Sequence, residues 1–378
     1  MNQAFKFRDR TRYIINTDRD GQPSQSGQVH SSPEQLQSVI ANILDFFAHQ
    51  DNQNTPPRLL FYCHGGLVDE ARALQIMQRQ YRNYLQNNIY PVFFIWESGF
   101  FDILEDVGNS LVSEIFDPVA PQHTRFFSHI FRGEGPLDET IEELAKGFSG
   151  GWSACKERAS RVFGDGGFGW QFLTQLLTAL RSRNLHPEFH VVGHSAGALV
   201  LGELLRNLRT HRIDLPIRTC SLYAPACSLA YFDDTYIPEI TAPTQRIAEF
   251  YLYTLTDDEE KADACIPVRF YRYTLFSIYR KSLLYLISRG LEGAAEDVPL
   301  LGMERYAVES ANLAHIWAAA RGAHVTSGTD VTCTSAVDAC TLHLSFSQHT
   351  HGGFGETAQV LSSTLKTIRR EDALTYPF

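Results

Sequence analysis

The sequence predicts an α/β fold built on a mostly parallel, doubly wound sheet. Three observations carry that reading. From residue 58 onward, short apolar runs alternate with longer amphipathic segments. The runs are apolar throughout, as strands covered on both faces must be. One of them passes directly into an apolar helix through a glycine-flanked serine.

Residues 1–57 hold a charged start, a Gly/Pro/Ser/Gln-rich stretch at 20–34, and then a helix. Leu36, Val39, Ile40, Ile43, Leu44 and Phe47 recur at helical spacing, with Ser32 or Ser31 as cap and Pro33 in the first turn. This segment is expected to be an extension packed on a core formed by residues 58–378.

The candidate strands of that core are Arg58–Cys63, Tyr90–Trp96, Glu188–Val192, Ile217–Tyr223, Ile247–Leu255 and Leu342–Phe346. Asp69–Gln86, Phe168–Arg183 and Ala198–Arg209 read as helices between them. Two segments are too long for simple crossovers. Residues 98–166 are rich in aromatics, with Gly-rich turns at 147–151 and 164–169. Residues 258–340 contain a strongly apolar segment, Leu275–Leu291, that reads as a helix. Ligands of open α/β sheets bind beyond the carboxyl ends of the strands, so insertions emerging there are expected to form a helical cap or lid.

Composition narrows the function classes. The formal net charge is −10, and Lys and Arg occur singly or in pairs, so no basic stripe marks a nucleic-acid partner. No run approaches the roughly 18 to 20 apolar residues of a membrane span. The first twenty residues are charged throughout and lack a secretory apolar core, which makes the cytoplasm the simplest location. The seven cysteines show no metal-ligand spacing, and most are expected as buried thiols. Cys333 and Cys340 could bridge a loop.

Glu188-Phe-His-Val-Val-Gly-His-Ser-Ala-Gly-Ala-Leu-Val200 matches the G-x-S-x-G nucleophile elbow in letters and in strand-to-helix context. Such a turn holds Ser195 in a strained backbone conformation that leaves no room for side chains at the flanking glycine positions. It also aims the Ala196 amide and the following helix start at developing negative charge.

Upstream, Leu59-Leu-Phe-Tyr-Cys-His-Gly-Gly-Leu-Val68 runs from a strand into His64-Gly65-Gly66. Here the sequence resembles the α/β-hydrolase superfamily of serine esterases and lipases, whose HG-type loop supplies the second oxyanion amide. The resemblance implies that fold, and it implies that Gly66 or Leu67 joins Ala196 as oxyanion donor. The stretch Arg280-Lys-Ser-Leu-Leu-Tyr-Leu-Ile-Ser288 is similar to helices in bacterial hydrolases of this fold, which adds membership but no substrate.

A serine hydroxyl needs a base, and the base needs a carboxylate. In this fold both follow the serine in the chain. The resemblance points to a His-Gly pair after the last strand, favouring His351 over His349, while His343 alternates within the strand and reads as structural. A metal pair at His349 and His351 lacks a completing Asp, Glu or Cys set, so neither metal nor organic cofactor is expected. The acid is sought in the loop after Ile247–Leu255. Asp257 lies nearest the strand end and is our choice, Asp258 is one residue further, and Asp263 sits in Asp-Ala-Cys-Ile-Pro, resembling the family's D-x-x-V-P.

The expected activity is hydrolysis of a small-molecule carboxylic ester through the triad Ser195, His351 and Asp257, with an apolar acyl or alcohol group suggested by the aromatic insertions. The rivals are a lipase, thioesterase or peptidase with the same triad, or a binding protein on a hydrolase scaffold that has lost catalysis. Oligomeric state is not encoded legibly.

Overall fold

A computed structural model describes residues 11–49, 55–116, 137–241, 246–263, 266–270, 274–307, 323–327, 341–342, 350–371 and 373–378. The strands, in chain order, are β1 (Ile14–Thr17), β2 (Arg58–Cys63), β3 (Ile89–Trp96), β4 (Glu188–His194), β5 (Ile217–Tyr223), β6 (Ile247–Thr254), β7 (Ile266–Phe270), β8 (Thr274–Tyr279), β9 (Ala323–Ser327) and β10 (Thr341–Leu342). Eight of them form the main sheet of an α/β protein, in the order β1-β3-β2-β4-β5-β6-β9-β10. Every neighbouring pair in it is parallel.

Five of the six strands read from the sequence lie where they were expected, to within two residues at an end. The sixth is seen as Thr341–Leu342, and the rest of Leu342–Phe346 lies outside the described residues. The apolar runs do not reveal β1, β9 or the antiparallel hairpin of β7 and β8.

The hairpin corrects the helix expected over Leu275–Leu291. The first part of that segment pairs as β8, and a helical stretch begins only at Leu283, where the Ser282 hydroxyl accepts from the Tyr285 amide. An apolar run does not distinguish strand from helix. The serine cap inside the run marks where one becomes the other.

The helices that flank the sheet are α1 (Pro33–Ala48), α2 (Glu70–Gln86), α3 (Phe100–Phe116), α4 (Leu137–Lys146), α5 (Ser149–Phe163), α6 (Phe168–Ser182), α7 (Gly197–Thr210), α8 (Leu229–Thr235), α9 (Ile237–Thr241), α10 (Asp257–Glu260), α11 (Leu283–Leu286) and α12 (Ala358–Arg369). Ser32 caps α1 and Asp69 caps α2, each through its side-chain oxygen. Residues 98–166 supply α3, α4 and α5, and Gly150 and Gly151 fall inside the first turn of α5 rather than in a turn before it.

Strand alternation distributes the core to both faces. Phe61 and Phe94 pack on Phe172 of α6 on one face. Tyr223 and Tyr253 meet Thr364 of α12 on the other. Each such aromatic contributes roughly 1.5 to 3 kcal/mol by leaving water. Among the described residues no helix is long and apolar enough to cross a membrane. Cys63, Cys155, Cys220 and Cys227 are buried free thiols, and Cys265, Cys333 and Cys340 lie outside the described residues.

The strand order places the site. β2 is flanked by β3 on one side and β4 on the other, so the chain reverses its winding direction between β2 and β4. Crevices at such reversals are where open α/β sheets bind ligands. The register sets Cys63 beside Gly193, so the turns that leave these two strands emerge side by side.

Candidate active site

β4 ends at His194 and α7 begins at Gly197, leaving Ser195 at the apex of the turn with φ of +51°. That left-handed conformation costs a non-glycine residue roughly 1 to 3 kcal/mol unless its surroundings hold it. They do. The Ser195 amide donates to the Tyr223 carbonyl at 2.8 Å, and the Ser195 carbonyl accepts from the Ala226 amide at 3.1 Å. The glycines are needed for space, because a Cβ at Gly197 would lie 2.2 Å from the Cys63 carbonyl oxygen and one at Gly193 would lie 2.9 Å from Leu201.

The His64-Gly65-Gly66 loop closes on this apex. A Cβ at Gly65 would stand 3.1 Å from the Ser195 Cβ, and one at Gly66 would stand 3.3 Å from the Ala196 Cβ. The loop is pinned through its carbonyls and its histidine. His64 Nδ1 bonds the Gly65 carbonyl at 2.8 Å, its Nε2 accepts from the Trp96 amide at 3.2 Å, and the Trp96 indole donates to the His64 carbonyl at 3.1 Å. Burial drives the His64 pKa down to about 4, so the ring is neutral and can serve as donor on one side and acceptor on the other. The Ser98 hydroxyl donates to the Gly66 carbonyl. Among the described residues, the amides of Gly66, Leu67 and Ala196 make no hydrogen bond. They are therefore available to an incoming oxygen.

His351 opens a short turn, His351–Gly353, ahead of α12. Its Nε2 is 2.8 Å from Ser195 Oγ. Burial, with the His194 ring next to it, holds the His351 pKa well below the ordinary imidazole value. A neutral ring with its lone pair toward a hydroxyl is the state a general base requires.

The backbone of His351 is clamped at both ends. Its amide donates to Asp263 Oδ2 at 2.7 Å, and its carbonyl accepts from His194 Nε2 at 2.9 Å. A carbonyl only accepts, so His194 carries its proton on Nε2, and burial lowers its pKa to about 4. His194 thus ties the elbow to the backbone of His351. His351 Nδ1 is buried and makes no hydrogen bond among the described residues.

The structure does not bring Asp257 to the histidine. Its carboxylate is engaged by Lys261 and by the Tyr285 hydroxyl at 2.5 Å, in the first turn of α10. Asp258 is exposed. Asp263 is the acid that reaches His351, is only 9% exposed, and has its pKa pushed up to about 6 by burial. A capping box of Thr256 and Glu259 folds residues 257–260 into a helical turn, which carries the two earlier aspartates away and returns the chain at Asp263. The T-x-x-E spacing is the sequence signal that would have separated them.

His190, fully buried in β4, bonds Thr219 at 2.8 Å and takes no part in the site. His343 and His349 lie outside the described residues. Among the described residues no group of three or more His, Cys, Asp or Glu is placed to hold a metal ion. Comparison of the chain with models of known families, with curated proteins and with solved structures finds no match.

Proposed function

We propose that this chain is a serine hydrolase of the α/β-hydrolase fold that cleaves carboxylic esters through an acyl-enzyme. The observation that carries the reading is the 2.8 Å contact of His351 Nε2 with a Ser195 hydroxyl held at positive φ beside unoccupied amides.

His351 takes the Ser195 proton as Oγ attacks the ester carbonyl. The carbonyl oxygen becomes an anion facing the amides of Ala196 and of Gly66 or Leu67. Each such donor typically accounts for roughly 3 kcal/mol of barrier lowering. The imidazolium then gives its proton to the departing alcohol. Water, deprotonated by the same ring, releases the acid and restores Ser195.

Nδ1 of His351 must carry a proton throughout, and once the ring is charged it needs an anion. Asp263, already bound to the backbone of the same residue, is the acid we assign to that role in place of Asp257. Phe100, at the start of α3, lies beside the Gly66 loop, its Cβ 3.4 Å from where a Cβ at Gly66 would stand, so the beginning of that helix borders the proposed oxyanion site.

The test is labelling by a fluorophosphonate together with turnover of p-nitrophenyl acetate. The unmutated protein is expected to do both, Ser195→Ala neither, and His351→Ala to lose about three or more decades of kcat. An unmutated protein that fails both assays would remove the hydrolase reading.

A further inference from the structure

The loop that carries the candidate oxyanion amides contains two consecutive glycines, Gly65 and Gly66, and glycine is the residue least able to hold a peptide plane by its own conformational preference. Donors that stabilise developing charge must be aimed before the charge appears. The fixing must therefore come from the partners of the loop carbonyls. For the peptide between Gly65 and Gly66, His64 Nδ1 and the Val68 amide both donate to the Gly65 carbonyl, at 2.8 Å and 3.3 Å.

For the next peptide, between Gly66 and Leu67, the partner is Ser98, a buried residue just past β3. Its hydroxyl accepts from the Phe100 amide at 3.2 Å and gives its single proton to the Gly66 carbonyl. In a trans peptide the C=O and N–H point in opposite directions, so gripping the Gly66 carbonyl aims the Leu67 amide. The same bond polarises the peptide and strengthens that amide as a donor. Ser98 is held in turn. Arg158 of α5 donates from Nη1 to the Ser98 carbonyl at 2.9 Å. Gly99, with φ of +66°, leaves the room for it, because a Cβ there would lie 1.7 Å from that nitrogen.

We propose that Ser98 is a positioning residue for the reaction, holding the peptide between Gly66 and Leu67 in the geometry that receives the oxyanion, and that Arg158 anchors Ser98. The inference rests on the hydrolase reading above.

The experiment uses the unmutated protein, Ser98→Ala, Arg158→Met and the double variant. Each is assayed with p-nitrophenyl acetate and then treated with phenyl trifluoromethyl ketone. Ser195 Oγ bonds the ketone carbon, the Oγ proton passes to His351, and the former carbonyl oxygen becomes an oxyanion facing the loop. The pH at which that oxygen takes up a proton, read by fluorine NMR, reports the donors directly.

Ser98→Ala is expected to lower kcat about tenfold or more with KM within about twofold, and to raise the hemiketal pKa by about one unit. Arg158→Met is expected to lose about threefold in kcat, and the double variant no more than Ser98→Ala alone, because Arg158 acts through Ser98. A serine that merely supports the fold would lower Tm without moving the hemiketal pKa.

A Ser98→Ala protein whose kcat stays within about twofold, or whose hemiketal ionises at the unmutated pH, overturns the proposal while fluorophosphonate labelling still supports a hydrolase. A double variant that shows the product of the two single losses overturns the part given to Arg158. An unmutated protein that neither labels nor cleaves p-nitrophenyl acetate overturns both readings.

Discussion

Asp263 is where residue chemistry makes the sharpest statements. Its carboxyl ordinarily ionises near 3.8, and burial lifts it to about 6 in the folded chain. The folded state therefore holds the proton more tightly than the unfolded state does. Stability from this group is complete below 3.8 and is lost as pH rises through about 6. Asp263→Asn keeps an oxygen for the His351 amide but cannot ionise. Above pH 6 it should stabilise the fold by up to about 3 kcal/mol, read as a raised Tm at pH 8 that disappears at pH 4. The same variant should lose about three to four decades of kcat, since the imidazolium has no counter-charge. Asp257→Asn, which changes only contacts to Lys261 and Tyr285, should stay within a few-fold of the unmutated protein. With burial holding the His351 pKa well below the ordinary imidazole value, the acidic limb of kcat/KM is assigned to Asp263: it should fall as pH drops through about 6 and be absent from the residual activity of Asp263→Asn.

At the scale of elements, the elbow is a contact between β2 and the first turn of α7. Gly197→Ala would drive a methyl group to 2.2 Å from the Cys63 carbonyl, so helix and strand must separate. Loss of at least about 3 kcal/mol in denaturant unfolding is expected, with labelling of Ser195 abolished in whatever folds. Which elements the sequence announced follows the strength of their local signals. α1 and α2 carry caps, first-turn acids and an unbroken apolar stripe, and both begin where those signals place them. Ser195 and Ala196 are legible in the letters of the elbow and its strand-to-helix context, whereas Gly66 and His351 rest on the family resemblance; the structure brings all four together. β1 is four residues long, so no alternation could accumulate. β8 and α11 share one apolar run that only a serine divides. Asp257, nearest the strand end in sequence, is bound to Lys261 and Tyr285 instead of reaching His351, because a single helical turn undoes closeness along the chain.

For the whole molecule, the sheet order decides what the early residues are for. β1 is the edge strand on the β3 side and pairs over Ile14–Thr17 with Phe93–Trp96. It shields the outer side of a strand whose eight residues are all buried. Deleting residues 1–31 should expose that strand as a bare edge, lower Tm, and produce oligomers detectable by light scattering at micromolar concentration. A deletion variant that stays monomeric with an unchanged Tm would mean that β3 does not need its neighbour. Sequence alone sets this segment aside as an extension, because sheet membership is a long-range property.

The candidate reacting groups also have an order in time. His64 to Gly66, Ser195 and Asp263 are all synthesised before His351, and the pairing that brings His351 to the nucleophile spans 156 residues. A ribosome-bound chain that has not yet released residue 351 carries the candidate nucleophile and the candidate oxyanion amides but not the candidate base. With His351 as the proposed base, hydrolysis switches on only when its turn and α12 dock. Catalytic competence then doubles as a check that α12 has been made and has found its place.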